Sequence, residues 1–97
     1  MNAAAFLLAI ARQTRLVSTA PDPLAAARRF MAHHGDTAEG QALRKVMDML
    51  VSGTGEFAES DVYLFSTETL VLINALADAR TEGRYSLAEW MQSLSCG

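Results

Sequence analysis

A segment that is apolar in nearly every direction around a helix, at positions 67–81, most constrains how this chain can fold. Ser66 precedes it as a capping residue, and Gly83 follows it where a helix end favours glycine. A helix that is apolar all round is usually interior. Because 97 residues form a single core, we expect this helix to be the central one. Its apolar residues are Leu70, Val71, Leu72, Ile73, Leu76, Ala77 and Ala79.

Amphipathic segments flank this helix in the sequence, each with its apolar side chains on one side at 100° per residue. They lie at 3–17, 23–34, 87–95 and in a stretch that Asp36 caps and Gly53 ends. The stretch 53–66 fits either a short helix at about 58–65 or an extended piece, and Ser60 and Asp61 favour the helix. The sequence therefore predicts an all-α fold: a single compact domain, 1–97, of five or six helices around the central apolar helix. The last helix is expected to bury Leu87, Trp90, Met91 and Leu94.

The second and third helices have clear end signals. Asp22 suits a helix cap, and Pro23 suits the first helical position because its φ is fixed. Gly35 has the position of a left-handed glycine after the helix end. Asp36 is expected to cap the next helix, with Glu39 reaching back to it.

The charges are unevenly distributed along a chain whose net charge is −3. Positions 1–50 carry six basic and four acidic residues, whereas positions 51–97 carry two basic and seven acidic ones. The acidic second half would repel a phosphate backbone, so we expect no binding to nucleic acid. No apolar run approaches 18 residues, so we expect no membrane span.

The sequence also bears on location. Cys96 is the only cysteine, which permits no internal disulfide. The apolar opening has no basic residue before it and Arg12 after it, the reverse of a secretory signal. An opening that carries arginine but no acid before Asp22 also fits a mitochondrial transit peptide, which stays open as an alternative. We expect a cytoplasmic protein that begins with a helix.

Positions 78–89, DARTEGRYSLAE, have the skeleton of an EF-hand calcium loop. Arg80 and Arg84 oppose this function, because they place positive charge where the loop should offer oxygen to a cation. A metal-responsive switch is therefore only the alternative hypothesis, and we expect no metal. At the ligand positions of the loop, the oxygen-bearing side chains are Asp78, Glu82, Ser86 and Glu89.

The same residues also fit the end of one helix and the start of the next. The central helix would end near position 81 and turn at Gly83. Ser86 would then cap the last helix, and Glu89 would complete a capping box. The spacing of glycine, aromatic residue and acid recurs at Gly55, Phe57 and Asp61. We interpret the two copies as two joints between helices, and a chance recurrence of the spacing is the alternative.

No arrangement of residues indicates catalysis. His33 and His34 are adjacent, so on a helix they point about 100° apart and do not share a metal ion. The chain has no glycine-rich phosphate loop, no paired nucleophile and base, and no cluster of Cys and His. We therefore expect neither an enzyme nor a cofactor.

The remaining candidates are surface residues. Leu8 and Leu16 lie outside the core stripe of the first helix. The basic residues Arg12, Arg15, Arg28 and Arg29 suit an acidic partner or phosphate, and an ordinary solvated face is the alternative explanation. We expect a small soluble interaction or regulatory protein that acts through a helical surface. We also expect a homodimer with the first helix in the contact, where basic and acidic regions of the two chains meet. A monomer and an accessory subunit of an enzyme are the alternatives.

Overall fold

The computed structural model describes residues 2–13 and 22–95, and within these ranges every regular element is helical. The elements form one compact body of 29 × 29 × 26 Å. The predicted all-α fold of five or six helices is confirmed. Positions 14–17 of the predicted first helix lie outside the described residues. In chain order the elements are α1 (Ala3–Gln13), α2 (Pro23–His34), α3 (Ala38–Ser52), a 3₁₀ helix (Glu59–Leu64), α4 (Thr67–Glu82) and α5 (Leu87–Ser95).

Short polar side chains start α2 and α4, as predicted. The Asp22 carboxylate accepts a hydrogen bond from the Ala25 N–H at 3.1 Å, and Pro23 occupies the first turn of α2. The Ser66 hydroxyl accepts one from the Thr69 N–H at 3.3 Å. Each bond satisfies a donor that the first turn of a helix leaves without an intrahelical partner.

The joint between α2 and α3 differs from the prediction in three ways. Gly35 keeps right-handed helical angles (φ −64°, ψ −20°), and Thr37 caps α3 in place of Asp36. The Thr37 N–H and hydroxyl both donate to the His34 carbonyl, at 3.0 and 2.6 Å, so residues 34–37 form a turn in which Gly35 keeps its right-handed angles. Glu39 does not reach back along its own helix; its carboxylate accepts a hydrogen bond from the Ser66 N–H at 2.5 Å. That bond joins the start of α3 to the start of α4.

A glycine allows α3 to begin directly against the end of α2. Gly40 is buried in the first turn of α3, and its N–H donates to the Thr37 hydroxyl at 3.0 Å. A Cβ atom at Gly40 would lie 1.9 Å from the His34 carbonyl oxygen, which is shorter than any contact between two non-bonded heavy atoms. The close approach of α2 and α3 therefore requires a residue without a side chain.

The core lies between two helices and not around α4 alone. α4 packs against α1, α2 and α3, whereas α3 packs against α2, α4, α5 and the 3₁₀ helix. Each of the two carries a fully buried stripe, while Val71 and Leu72 on the flank of α4 are only half-buried. α4 is therefore apolar on more sides than it buries, because α3 shares the central position. The most deeply buried residues of the two helices are Leu43, Val46, Met47, Ile73 and Leu76.

An aromatic cluster attaches α1 to the rest of the core. Phe6 has no exposed surface, and its ring stacks on that of Phe57 with centroids 3.9 Å apart. Phe65 meets the Phe6 ring edge-on, with the two ring centroids 6.4 Å apart. Phe57 and Phe65 flank the 3₁₀ helix, so this cluster holds α1 against that helix. Ile10, one turn after Phe6, is also fully buried.

The stretch 53–66 forms the short helix that the sequence favoured, in the tighter 3₁₀ form. Gly53 ends α3 in a left-handed conformation (φ 76°), and its N–H donates to the Met49 carbonyl at 2.7 Å. Glu56 then makes an isolated antiparallel backbone bridge with Asn2. The bridge brings this stretch to the amino end of α1.

The helix α5 has the predicted bounds but buries a different set of side chains. Trp90 is buried as expected, and Leu94 is half-buried. Leu87 and Met91 were predicted to be in the core, yet 61% and 51% of their surface is exposed. Because α5 is packed by the side that carries Trp90 and the fully buried Ser93, Leu87 and Met91 lie beside the contact.

Candidate functional site

The stretch 78–89 consists of a helix end and a helix start. Asp78 and Glu82 both belong to α4 and are exposed. Gly83 follows in a left-handed conformation (φ 69°). Its N–H donates to the Arg80 carbonyl at 3.3 Å, and the Arg84 N–H donates to the Ala79 carbonyl at 3.0 Å. This is the bond pattern of a Schellman motif, so the predicted turn at Gly83 is confirmed.

A capping box starts α5, as predicted. The Glu89 N–H donates to the Ser86 hydroxyl at 3.2 Å, and the Ser86 N–H donates to the Glu89 carboxylate at 3.1 Å. Tyr85, just before the cap, meets Trp90 edge-on with ring centroids 5.8 Å apart. The pair has the spacing of a hydrophobic staple, which fixes the angle at which the chain enters the helix.

These positions bear directly on the calcium hypothesis. Asp78 lies inside α4, the Glu82 carboxylate lies 3.3 Å from the Arg84 guanidinium, and Glu89 binds the backbone of its own helix. Across residues 2–13 and 22–95, no three side chains of the types His, Cys, Asp and Glu come together as a metal site. A calcium ion would need the last turn of α4 to unwind so that oxygens could converge on it.

We therefore expect millimolar calcium to leave the melting temperature and the Trp90 fluorescence of the metal-stripped protein unchanged. The measurement is sensitive, because a ligand at about 100 times its dissociation constant stabilises a protein by roughly 2.7 kcal/mol. That gain would raise the melting temperature by several degrees. A rise of that size, abolished in Glu89→Gln, would show that the stretch binds the ion after all.

The earlier copy of the spacing also starts a helix. The Asp61 carboxylate accepts a hydrogen bond from the Ala58 N–H at 2.8 Å, which is the bond that Glu89 makes three residues after its own cap. Phe57 precedes this helix start as Tyr85 precedes the other one. The interpretation of the repeat as two helix joints is confirmed.

A polar contact that the sequence did not predict ties the α4–α5 joint to the start of α2. The Tyr85 hydroxyl donates to the Asp22 carboxylate at 2.6 Å and accepts from the Leu24 N–H at 3.4 Å. The bond from Tyr85 is the main cause that lowers the pKa of Asp22 below its ordinary value of 3.8. Burial, followed by the same bond, raises the pKa of Tyr85 above 10.0.

We expect Tyr85→Phe to lower the free energy of unfolding by about 2 kcal/mol at neutral pH, since the two hydrogen bonds of its hydroxyl are lost with little change in packing. The lowered pKa of Asp22 stabilises the folded state above pH 3.8, and that contribution is lost as the pH falls through the folded value. The raised pKa of Tyr85 stabilises the folded state below pH 10.0, and that contribution is lost as the pH rises through the folded pKa. Urea unfolding of both proteins across pH should therefore show a difference that disappears in acid and in strong base. A difference that is constant across pH would contradict this assignment.

The two histidines lie exposed at the end of α2. Their ring centroids are 6.4 Å apart, and the His34 ring lies against Phe30 at 4.9 Å. The His34 carbonyl is bound by Thr37. His33 and His34 thus stand at a helix carboxyl end, where a positive charge is favourable, and nothing in this geometry joins them into a metal or acid–base pair.

The predicted basic surface is divided between two helices. Arg12 is exposed on α1, whereas Arg28 and Arg29 are exposed on α2. α1 packs on α4 and the 3₁₀ helix, and α2 packs on α3, α4 and α5. Arg15 and Leu16 lie outside the described residues.

Two other arginines have structural partners that sequence patterns did not indicate. The Arg80 side chain donates to the Leu50 carbonyl at 3.0 Å, and the Arg44 side chain donates to the Leu94 carbonyl at 2.5 Å. Each satisfies a carbonyl near the end of a helix that lies far away in the sequence. The distance along the chain is why no local pattern revealed them.

The side of α1 that faces away from the core is apolar and exposed. Leu8, predicted to lie outside the core stripe, is 54% exposed. Ala4, Ala5 and Ala11 around it are exposed too, and Arg12 is the first charged residue of the helix. We call these five residues the outer α1 face. The 3₁₀ helix that contacts α1 carries Tyr63 and Leu64, which are 72% and 43% exposed.

A second surface feature is an open groove of about 270 Å³ between α2 and the first half of α4. Ala26 and Phe30 of α2, with Val71 and Leu72 of α4, provide its apolar lining, and Glu68 provides its acidic edge. Arg29, one residue before Phe30, is exposed but does not line the groove. The groove depends on the placement of two helices that are distant in sequence.

The last two findings concern membrane spans and similarity to known proteins. In the ranges 2–13 and 22–95, no helix is both long and apolar enough to cross a membrane. No family model, no curated protein and no solved structure matches the chain.

Proposed function

We propose that this is a small non-catalytic interaction or regulatory protein that works as a homodimer, with the outer α1 face in the contact. The observation that carries the proposal is the position of Leu8, which is more than half exposed on the side of α1 opposite the fully buried Phe6. A single exposed leucine is normal on a monomer. Here the alanines around it are exposed as well, so one side of a helix presents a continuous apolar surface to solvent.

Four acidic side chains bind backbone N–H groups at helix starts, and this supports a role without catalysis. The carboxylates of four acidic residues each accept a hydrogen bond from a backbone N–H at or near the start of a helix. A carboxylate held in this way stabilises the fold and has less freedom to bind substrate or transfer protons. The four residues are Asp22, Glu39, Asp61 and Glu89.

We propose the α2 side for a protein partner, because exposed Arg28 and Arg29 and the groove beside Phe30 combine basic and apolar chemistry. If that partner is an enzyme, this chain is its accessory subunit.

Affinity capture from native extract tests the α2 side. Arg29→Glu should no longer retain the partner, whereas Arg84→Glu should retain it. Equal loss of the partner in both variants would count against this side. The single cysteine is our ground for proposing a cytoplasmic location.

The homodimer is tested by sedimentation equilibrium at micromolar concentration. We expect a dimer for the native protein and a monomer for Leu8→Glu, because the new carboxylate would lose its hydration in the contact. Leu87→Glu is the matched control: this leucine is 61% exposed on α5, and its replacement should leave the dimer intact. A native protein that sediments as a monomer, at low salt as well, would remove the proposal.

A further inference from the structure

We infer that the outer α1 face of each chain docks in the groove between α2 and α4 of the other chain, so that Leu8 enters the groove and Arg12 meets Glu68 of the partner subunit. This inference rests on the homodimer proposed above. It adds the surface that receives α1, the direction of the helix across that surface and the two residues that pair by charge.

The groove has the size and the chemistry to receive a leucine side chain. Its volume is about 270 Å³, and its apolar lining consists of Ala26, Phe30, Val71 and Leu72. An apolar cavity of roughly 150 Å³ already holds a benzene molecule, so the groove has room for Leu8. Phe30, Val71 and Leu72 are only half-buried, and each therefore has surface left for Leu8 to cover.

The charges of the two surfaces match at the same spacing. Arg12 lies four residues after Leu8 on the outer α1 face, and Glu68 lies four residues before Leu72 along the groove. In both cases four residues make about one helical turn, which is roughly 6 Å along the helix. Within residues 2–13 and 22–95, neither Arg12 nor Glu68 has an ion-pair partner. Placing Leu8 beside Leu72 therefore brings the guanidinium to the carboxylate.

The same match sets the direction of the docked helix. Arg12 follows Leu8 in the chain, whereas Glu68 precedes Leu72, so the two pairs meet only when α1 runs antiparallel to α4 of the partner subunit. Arg12 is in the last turn of α1, and Glu68 is in the first turn of α4. In an antiparallel pair the negative end of one helix dipole lies beside the positive end of the other. Side-chain charge and helix dipoles thus favour the same direction.

Docking in both directions closes the dimer. α4 packs against both α1 and α2, so the outer α1 face and the groove belong to elements that flank the same helix. A two-fold axis repeats the contact, and each chain then provides one helix and one groove. Two contacts bury twice the area of one, which an 11-residue helix needs in order to approach the roughly 1,200 Å² of a stable interface. Arg29 does not line the groove and stays exposed on α2 for the protein partner proposed above.

Disulfide cross-linking tests the docking. In a Cys96→Ser background, the variants Leu8→Cys and Leu72→Cys are mixed, one of them carrying a mass tag. A disulfide requires Cα atoms within about 7 Å, so the mixture should give roughly ten times more mixed disulfide than Leu8→Cys gives with itself. Leu87→Cys, on α5, is the control for random collision.

The outcomes separate this inference from the homodimer itself. Disulfides formed mainly between two Leu8→Cys chains would overturn docking in the groove while leaving the α1 contact in place. A native protein whose mass rises beyond a dimer with concentration would contradict the reciprocal contact, because docking that does not close forms an open chain. A monomer by sedimentation would end the proposal of a dimer together with this inference.

A charge exchange gives a second measurement. Arg12→Glu and Glu68→Arg should each raise the dissociation constant of the dimer roughly tenfold at low salt, because like charges then meet in both contacts. Both substitutions in one chain should restore the native value, since each contact again joins opposite charges. Asp48→Arg, on the exposed side of α3, is the matched control and should leave the dimer intact. A double variant no stronger than the single ones, with native circular dichroism, would contradict the pairing of Arg12 with Glu68.

Discussion

Replacement of Phe6 by alanine is expected to lower the free energy of unfolding by about 3 to 5 kcal/mol, the range observed when large aromatic side chains are removed from a core. Phe6 has no exposed surface, and it stacks on Phe57 and meets Phe65 edge-on. Its removal leaves a cavity beside the two remaining rings and also ends two aromatic contacts, each of which adds to simple burial. Because Phe6 and Ile10 are the fully buried residues of α1, we expect this helix to loosen first.

Urea unfolding followed by far-ultraviolet circular dichroism and by Trp90 fluorescence measures this effect. The first signal reports all helices, whereas Trp90 lies in α5, which is not among the elements that pack on α1. Leu8→Ala is the control on the same helix. At protein concentrations low enough to keep the protein monomeric, it should change the free energy of unfolding by less than about 0.5 kcal/mol. A loss under about 1 kcal/mol for Phe6→Ala would mean that the aromatic cluster does not hold α1 in place.

Gly40→Ala is expected to lower the free energy of unfolding by about 3 kcal/mol, the upper end of the usual range for overpacking. The added Cβ would lie 1.9 Å from the His34 carbonyl oxygen, and a backbone atom cannot move aside by changing a rotamer. α2 and α3 would have to separate, which disturbs the capping bonds that Thr37 makes to both helices. The higher helix propensity of alanine, worth up to about 1 kcal/mol, offsets only part of the loss.

Thermal and urea unfolding of Gly40→Ala should be compared with Gly55→Ala. A Cβ at Gly55 would lie 3.2 Å from the Cγ atom of Met49, and that flexible side chain can adjust. We expect the control to cost less than about 1 kcal/mol. If the two variants unfold alike, the close approach of α2 and α3 does not depend on the missing side chain.

Features fixed by neighbouring residues could be predicted from the sequence. The start of α2 follows from Asp22 and Pro23, and the start of α5 follows from Ser86 and Glu89, because each capping group binds a donor three residues away or nearer. Glu39 shows the limit. Its position indicated a bond within α3, but its carboxylate binds Ser66, 27 residues further on. Patterns along one helix do not show which other helix start comes within reach.

Burial was harder to predict where a helix has more apolar side chains than contacts. Leu87 and Met91 have the spacing of core residues, yet α5 is short and packs by the side that carries Trp90. The exposure of Leu8 was predicted correctly, because Phe6 and Ile10 fix the buried side of α1. The groove between α2 and α4 depends on the angle and distance between two helices, and periodicity contains neither.

The hydrogen bonds of Tyr85 have a consequence for amide hydrogen exchange. Its hydroxyl accepts from the Leu24 N–H and donates to Asp22, a residue 63 positions earlier that also binds the Ala25 N–H. The Leu24 amide in the first turn of α2 is thus kept from solvent only while the α4–α5 joint is docked against it. Segments near opposite ends of the described chain should open together, as one cooperative unit, and exchange their amide hydrogens at a common rate.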